Sequence, residues 1–281
     1  MCAVHGRWRR RRACLRPVAP LPHLWPIHGE PPLRCAPSEV APRILFRDEA
    51  FVILDKPPDV RMDGDHAVVT MAKLAEAWTG TQVRFAHRLD YGTSGIIVGA
   101  LTKEAAALSG AALEAKRGKK IYVAVCCGSL RRKSFVITSP LVTDDGLRVT
   151  LGKKGKPSKT KVKVLMRGTY FGRPVTKLQL QPVTGRRHQL RVHLASIGHP
   201  LVGDATYDDC PLLAGKATRM MLHAKSLYLP FAPAKDNSLT AIHAETPDPF
   251  PFDTHGILRP IIALPLEHSQ AAILLRRQEE Q

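Results

Sequence analysis

Long apolar runs are missing from these 281 residues, and no stretch approaches the roughly 20 consecutive apolar residues that a bilayer-spanning helix needs. No membrane association is therefore expected. Acidic residues are scarce as well. Only 24 Asp+Glu stand against 42 Lys+Arg, leaving +18 at pH 7. Such an excess points either to a polyanionic partner, because each phosphate neutralised by Lys or Arg releases condensed counterions, or to a solvated basic surface or a basic targeting segment. Cysteine pairs are lacking too. None of Cys2, Cys14, Cys35, Cys126, Cys127 and Cys210 forms C-x-x-C, and no Cys/His cluster has zinc-finger spacing. Cys126 and Cys127 lie in an apolar run and read as buried thiols. A chain this long needs no disulfides, which fits a reducing compartment.

Several chemistries are excluded by missing motifs. No G-x-x-x-x-G-K-[ST] phosphate loop is present, and no G-x-G-x-x-G follows a strand. Ser94 is not in a G-x-S-x-G elbow, since Gly95 follows it directly. His188, His193 and His199 are five and six residues apart with no carboxylate among them, so no metal is expected there. These rings are expected to hydrogen-bond locally, around Arg191.

Residues 1–42 differ from the rest. Arg7, Arg9, Arg10, Arg11, Arg12 and Arg16 precede the first acid, Glu30, and prolines recur from Pro17 to Pro42. The segment reads either as an organellar targeting peptide or as a disordered basic arm. The first case implies a mitochondrion or other organelle; otherwise the expected compartment is the cytoplasm or nucleus. One catalytic core is expected over 43–255, with a tail over 256–281.

Strand and helix signals alternate through that core. Ile44–Phe46, Phe51–Leu54, Ile96–Leu101 and Ile121–Cys127 read as strands. Thr70 is placed to cap a helix with Met71, Leu74 and Trp78 on one face, and a second helix is expected over Thr102–Lys116. Lys159, Lys161 and Lys163 alternate with Thr160, Val162, Val164 and Met166, and Leu178 and Leu180 alternate with Lys177, Gln179 and Gln181. Two-faced strands of this kind suit a mixed, largely antiparallel sheet with flanking helices, an α+β fold with a central cleft. Ala271–Glu280 reads as a short charged helix.

The segment with most chemistry is His87-Arg88-Leu89-Asp90-Tyr91-Gly92-Thr93-Ser94-Gly95. It sets an acid among an Arg, a His and two hydroxyls, between apolar flanks, with glycines that let the backbone bend. Asp90 is either a nucleophile or general base, or a residue that caps a turn. A basic stretch that includes Lys116, Lys120, Arg131, Lys153, Lys159, Lys161 and Lys163 is opposed only by Asp144 and Asp145. It is either a backbone-binding track or a solvated face.

His87–Gly95 resembles the H-R-L-D-x-x-T-S-G signature of the RluA-like pseudouridine synthases. Lys120-Ile121-Tyr122-Val123-Ala124 with Gly128, Thr184–Leu194, Gly198–Asp204 with Tyr207, and Leu222-His223-Ala224 resemble further family segments in the same order. Two positions depart from the pattern. Asp55-Lys56-Pro57-Pro58-Asp59 stands where the family more often has N/D-K-P-S-G, and Arg187 replaces a commoner threonine. The Pro-rich start is too short for the S4 RNA-binding domain that many members carry.

The resemblance implies an enzyme that isomerises uridine in ribosomal, transfer or messenger RNA, with Asp90 as the essential carboxylate. It implies that Arg191 compensates that charge, and an Arg can bind a carboxylate with two parallel bonds. Tyr122 would stack on the flipped uracil with its hydroxyl ready for a late proton step, and Leu190 would pack beneath it. Arg88 would grip phosphate or help displace the base. Since product and substrate are isomers, no cofactor is implied. RNA is the expected partner, the lysine stripe 159, 161 and 163 its expected contact, and a monomer the expected state. The alternative is an idle RNA-binding or RNA-folding protein on the same fold.

Overall fold

The computed structural model describes residues 43–258 except 65, 66, 68, 144–147, 208–212, 214, 215 and 232–238, and also 272–277; for 239, 240 and 272–277 only the backbone is described. The basic segment 1–42 and the acids Asp144 and Asp145 lie outside the described residues.

The chain opens with β1 (Arg43–Arg47) and β2 (Phe51–Lys56), paired antiparallel. Asp48 makes the turn between them, its carboxylate accepting the amides of Ala50 at 2.8 Å and Phe51 at 2.7 Å. α1 (Met71–Thr79) starts where Thr70 Oγ1 accepts the Lys73 amide and stops at Gly80, which takes a left-handed conformation. β3 (Arg84–Phe85) leads through the 86–93 loop into β4 (Ser94–Ala100). α2 (Lys103–Glu114) is capped by Thr102 in the same way as α1. Then come β5 (Lys119–Cys127), β6 (Ser134–Ile137), the hairpin of β7 (Leu141–Thr143) and β8 (Val149–Leu151), β9 (Thr160–Tyr170) and β10 (Arg173–Pro182). α3 (Gln189–Ser196), β11 (Leu222–Pro230), β12 (Leu239–Glu245) and β13 (Ala272–Arg277) complete the order.

One large mixed sheet runs β1-β2-β4-β11-β5-β10-β9-β6, with β12 joining β11 to β13 and β3 beside β4. Its described pairings are antiparallel except β4 beside β11. This is an α+β fold with few helices. The centre is covered on both faces, as the strands themselves show. In β2 and β4, Val52, Leu54 and Ile97 point into one apolar cluster, shared with Met71 and Ala75 of α1. Phe51, Ile53, Ile96 and Val98 point into another, shared with Ala105 and Ala112 of α2. Burying each such large side chain stabilises by roughly 1.5–3 kcal/mol, which is why these strands read as unbroken apolar runs.

Gly95 sits at φ +109, and a Cβ there would strike the Ala224 carbonyl oxygen. Only glycine lets β4 approach β11 so closely.

Two expectations are corrected. Residues 272–277 are a strand, not a helix, pairing with β12 at Ile273↔Ala244 and Leu275↔Ile242; an open sheet edge outweighs local helical preference. Met166 is 41% exposed, not inward. A register shift between Lys177 and Leu178, opposite Leu165, reverses the alternation of β9 beyond Val164.

Candidate active site

A cleft of about 1010 Å³ opens beside the first of those apolar clusters. Met62, Leu89, Tyr122, Leu190 and Leu222 of that cluster line it. So do the cations Arg61, Arg88, Lys116, Lys120, Arg186 and Arg187, all exposed except the partly buried Lys120.

Asp90 stands in the loop between β3 and β4, its side chain 25% exposed. The loop does turn here, but the turn uses the main chain. The Thr93 amide donates to the Asp90 carbonyl at 3.0 Å. That leaves the carboxylate for the cleft, so the capping alternative fails. Beneath the turn, Lys56 is fully buried and its Nζ donates to the carbonyls of Pro57 at 2.9 Å, Tyr91 at 2.9 Å and Thr93 at 2.8 Å. Burial, with the charge of Arg219, pulls Lys56 down to about 7, while Asp59 and Asp90 pull it back up. Three carbonyl acceptors around one nitrogen require three N–H donors, which only the ammonium form supplies. Asp59, at φ +58, takes the left-handed turn position that a glycine commonly fills; Asp tolerates it better than most residues.

Arg191 comes from α3. Its Nε and Nη2 bond both oxygens of Asp204 at 2.8 and 2.7 Å, and Nη1 lies 3.5 Å from Asp90 Oδ2. The two-bond partner is therefore Asp204, not Asp90. Asp204 is 1% exposed and also accepts the amides of Thr206 at 3.0 Å and Tyr207 at 3.3 Å. His188 Nε2 approaches Asp90 Oδ1 to 3.9 Å. Among the three candidate histidines only this one is beside Asp90 and Arg191. His193 bonds Thr160 Oγ1 and the Ser139 carbonyl, and His199 bonds the Cys127 carbonyl.

Tyr122 is 8% exposed, and burial followed by the Asp90 charge pushes its hydroxyl well above the usual phenol range. Its strand neighbour on β10 is Leu180, and Leu190 belongs to the same cluster. Arg88 is exposed and forks onto Asp63, which holds that carboxyl below its ordinary range. Both ring nitrogens of His87 are buried without a hydrogen-bond partner among the described residues. Burial, with Lys120 nearby, keeps that ring neutral.

Lys159, Lys161 and Lys163 are not among the cleft-lining residues. Lys161 and Lys163 are exposed and flank Val162, which belongs to the apolar cluster on the cleft side. Alternation therefore sends both lysines out from the opposite face of the sheet. Cys126 and Cys127 are buried, and burial raises the Cys126 thiol to about 12.

Sequence reasoning gave no role to Lys56, Asp204 or Tyr207, although all three stand within the quoted segments. It also missed a buried chain behind the loop. Arg219 donates to Ser94 Oγ at 2.5 Å, Ser94 Oγ pairs with His223 Nδ1 at 2.7 Å, and His223 Nε2 reaches Thr246 Oγ1 at 2.8 Å. Ser94 is thus engaged in holding β4 to β11.

A family model described as "RNA pseudouridylate synthase" matches residues 50–196. The "RNA pseudouridylate synthase domain-containing protein 1" of Bos taurus is 35% identical over 243 residues, covering 78% of this chain and 77% of that protein. The "Dual-specificity RNA pseudouridine synthase RluA" of Escherichia coli (strain K12) is 33% identical over 205 residues, 70% of this chain and 90% of its own length. The solved structure "Human RNA Pseudouridylate Synthase Domain Containing 1" superposes with a TM-score of 0.68 at 32% identity, covering 82% of this chain and 94% of that one.

Proposed function

We propose, for a chain that belongs to the RluA-like RNA pseudouridylate synthases and so isomerises uridine in RNA to pseudouridine, that Asp90 is the reacting carboxylate. One observation carries this: the Asp90 carboxylate, left out of its own turn, lines the same cleft as Tyr122 and Leu190 and is faced by Arg191 at 3.5 Å. The other acids that line the cleft are Asp63, forked by Arg88, and Glu114 at the end of α2.

The chemistry breaks the bond between N1 of uracil and the sugar, turns the base, and joins the same sugar carbon to C5. The proton lost from C5 balances the proton gained at N1, so no cofactor or metal is called for. Asp90 opens the reaction, by attack or by taking a sugar proton. Tyr122 and Leu190 hold the loosened base, with the Tyr122 hydroxyl kept as a phenol able to donate. The exposed cations of the cleft hold the phosphates around a flipped uridine, and the energy they supply offsets a few kcal/mol of unstacking. In this reading the enzyme acts as a monomer.

Purified Asp90→Asn, incubated with uridine-containing RNA and mapped by carbodiimide, is expected to form no pseudouridine while binding RNA within a few-fold of wild type. Product at near wild-type rate would sink the assignment.

A further inference from the structure

We infer that His188 is a positioning residue for Asp90, held in one tautomer by Tyr207 and, through Tyr207, by the β7–β8 hairpin. This rests on the reading of Asp90 as the reacting carboxylate.

The hydrogen bonds run in one direction. The Val149 amide, on β8, can only donate, and it gives its proton to Tyr207 Oη at 3.0 Å. The phenol's own proton is then free for His188 Nδ1, 2.9 Å away. Nδ1 accepts, so the ring proton sits on Nε2, and Nε2 is the nitrogen 3.9 Å from Asp90 Oδ1. The other tautomer would leave the Tyr207 hydroxyl proton without an acceptor among the described residues and turn a lone pair towards the Asp90 carboxylate.

Each member of the chain is fixed. Tyr207 is 7% exposed and packs with Leu141, Val149 and Val192. Its ring lies beneath the guanidinium groups of Arg191, at 5.0 Å, and Arg148, at 5.6 Å. His188 stands immediately before α3 at φ +52. A non-glycine residue holds such a conformation, at a cost of about 1–3 kcal/mol, only where its surroundings over-determine it. The charged groups facing the ring are Asp90, Arg191, Arg187 and Asp204. Desolvation outweighs the pull of Asp90 and keeps the imidazole below its ordinary value, in line with the neutral form that the bonding requires.

Asp90 is therefore faced by one N–H on each oxygen, Arg191 on Oδ2 and His188 on Oδ1, neither at full hydrogen-bond length. At these distances the two groups bias the orientation of the carboxylate through charge and dipole rather than through full hydrogen bonds, and its lone pairs stay available to substrate.

Two measurements test this. In histidine-labelled wild-type protein at neutral pH, nitrogen NMR is expected to show a ring protonated at Nε2 and bare at Nδ1, assigned to His188 by its loss in His188→Gln. A ring protonated at Nδ1, or at both nitrogens, overturns the proposal whatever Asp90 does. The second is Tyr207→Phe, which keeps the aromatic face and removes the hydroxyl. Here kcat is expected to fall roughly tenfold, as for a misplaced reacting group, with KM for RNA within twofold. The acid limb of the kcat profile moves to higher pH, because Nδ1 becomes free to take a proton. A loss of packing alone would lower thermal stability without moving that limb. An unmoved limb with wild-type kcat overturns the role. Activity in Asp90→Asn would instead remove the reading of Asp90 and leave the tautomer result standing.

Discussion

Arg191 forks both oxygens of Asp204 at 2.7 and 2.8 Å and offers Asp90 only its third nitrogen, at 3.5 Å. The cation is thus placed by a carboxylate that never reaches the cleft, since Asp204 is 1% exposed and is not among the lining residues. An Arg anchored in this way presents its charge to Asp90 without closing a full ion pair. Asp90 keeps room to react.

Asp204→Ala is expected to destabilise by about 3–5 kcal/mol, because it leaves a buried guanidinium without its partner. Asp204→Asn keeps the volume and should cost less stability while still loosening Arg191. Thermal unfolding and single-turnover rates read the two effects apart. Wild-type turnover in Asp204→Asn would show that Arg191 needs no such anchor.

Lys56 ties Pro57, Tyr91 and Thr93 from a single nitrogen. Lys56→Met fills the space but leaves three carbonyls with no donor, at about 1–3 kcal/mol for each unsatisfied buried group. Both the melting temperature and kcat should fall, with KM for RNA nearly unchanged. A variant that loses stability alone would mean that the 90–93 turn holds its shape unaided.

Much of this was legible in the sequence. The alternation of Leu178 and Leu180 with polar neighbours, the Thr70 cap, and the acid beside Arg88 in a glycine-flanked loop all follow from local pattern. Three things did not. Asp204 acts across 13 residues through a bidentate contact that no spacing encodes. The reversal of β9 at Leu165 depends on a register shift with its neighbour. The strand at 272–277 exists because the edge of β12 is there to receive it.

Tyr122 can be divided into ring and hydroxyl. Its hydroxyl is held above the ordinary phenol range by burial and then by Asp90, which favours the protonated form. Tyr122→Phe should keep KM and lower kcat, or slow only release of product. Tyr122→Ala should raise KM as well, because the face that meets the base is gone. Equal kinetics in the two variants would assign the whole effect to the hydroxyl.

His223 links acid to stability. Burial, with Arg219 next in weight, lowers it from 6.5 to about 3. The unfolded chain therefore takes up a proton near 6.5 that the folded one refuses until about 3. Stability should fall as pH drops through that window, by at most about 1.4 kcal/mol per pH unit from this residue. His223→Gln should flatten that part of the curve in thermal unfolding. An acid slope identical to wild type would place the sensitivity in other groups.

The positions of the cations separate two possible RNA tracks. Arg88, Lys116 and Arg186 are exposed and line the cleft, whereas Lys161 and Lys163 leave the sheet on its other face and Lys159 stands clear of the lining. The Arg88–Asp63 pair does not bar the first track. Its side chains are 67% and 55% exposed, so the pair is worth about 0–1 kcal/mol and a phosphate can displace Asp63 cheaply. Changing Arg88, Lys116 and Arg186 together to Gln should weaken binding to target and non-target RNA alike, since phosphate contacts position without specifying. Each lost contact removes roughly 0.7 to 0.9 from the slope of log K against log salt, so three should remove about two or more. Changing Lys159, Lys161 and Lys163 to Gln should leave that slope nearly intact, and Asp63→Asn should raise affinity by freeing Arg88. Fluorescence anisotropy over a salt series measures all three. If the lysine stripe flattens the slope and the cleft cations do not, the RNA lies across the far face of β9 and reaches Asp90 only around the edge of the sheet.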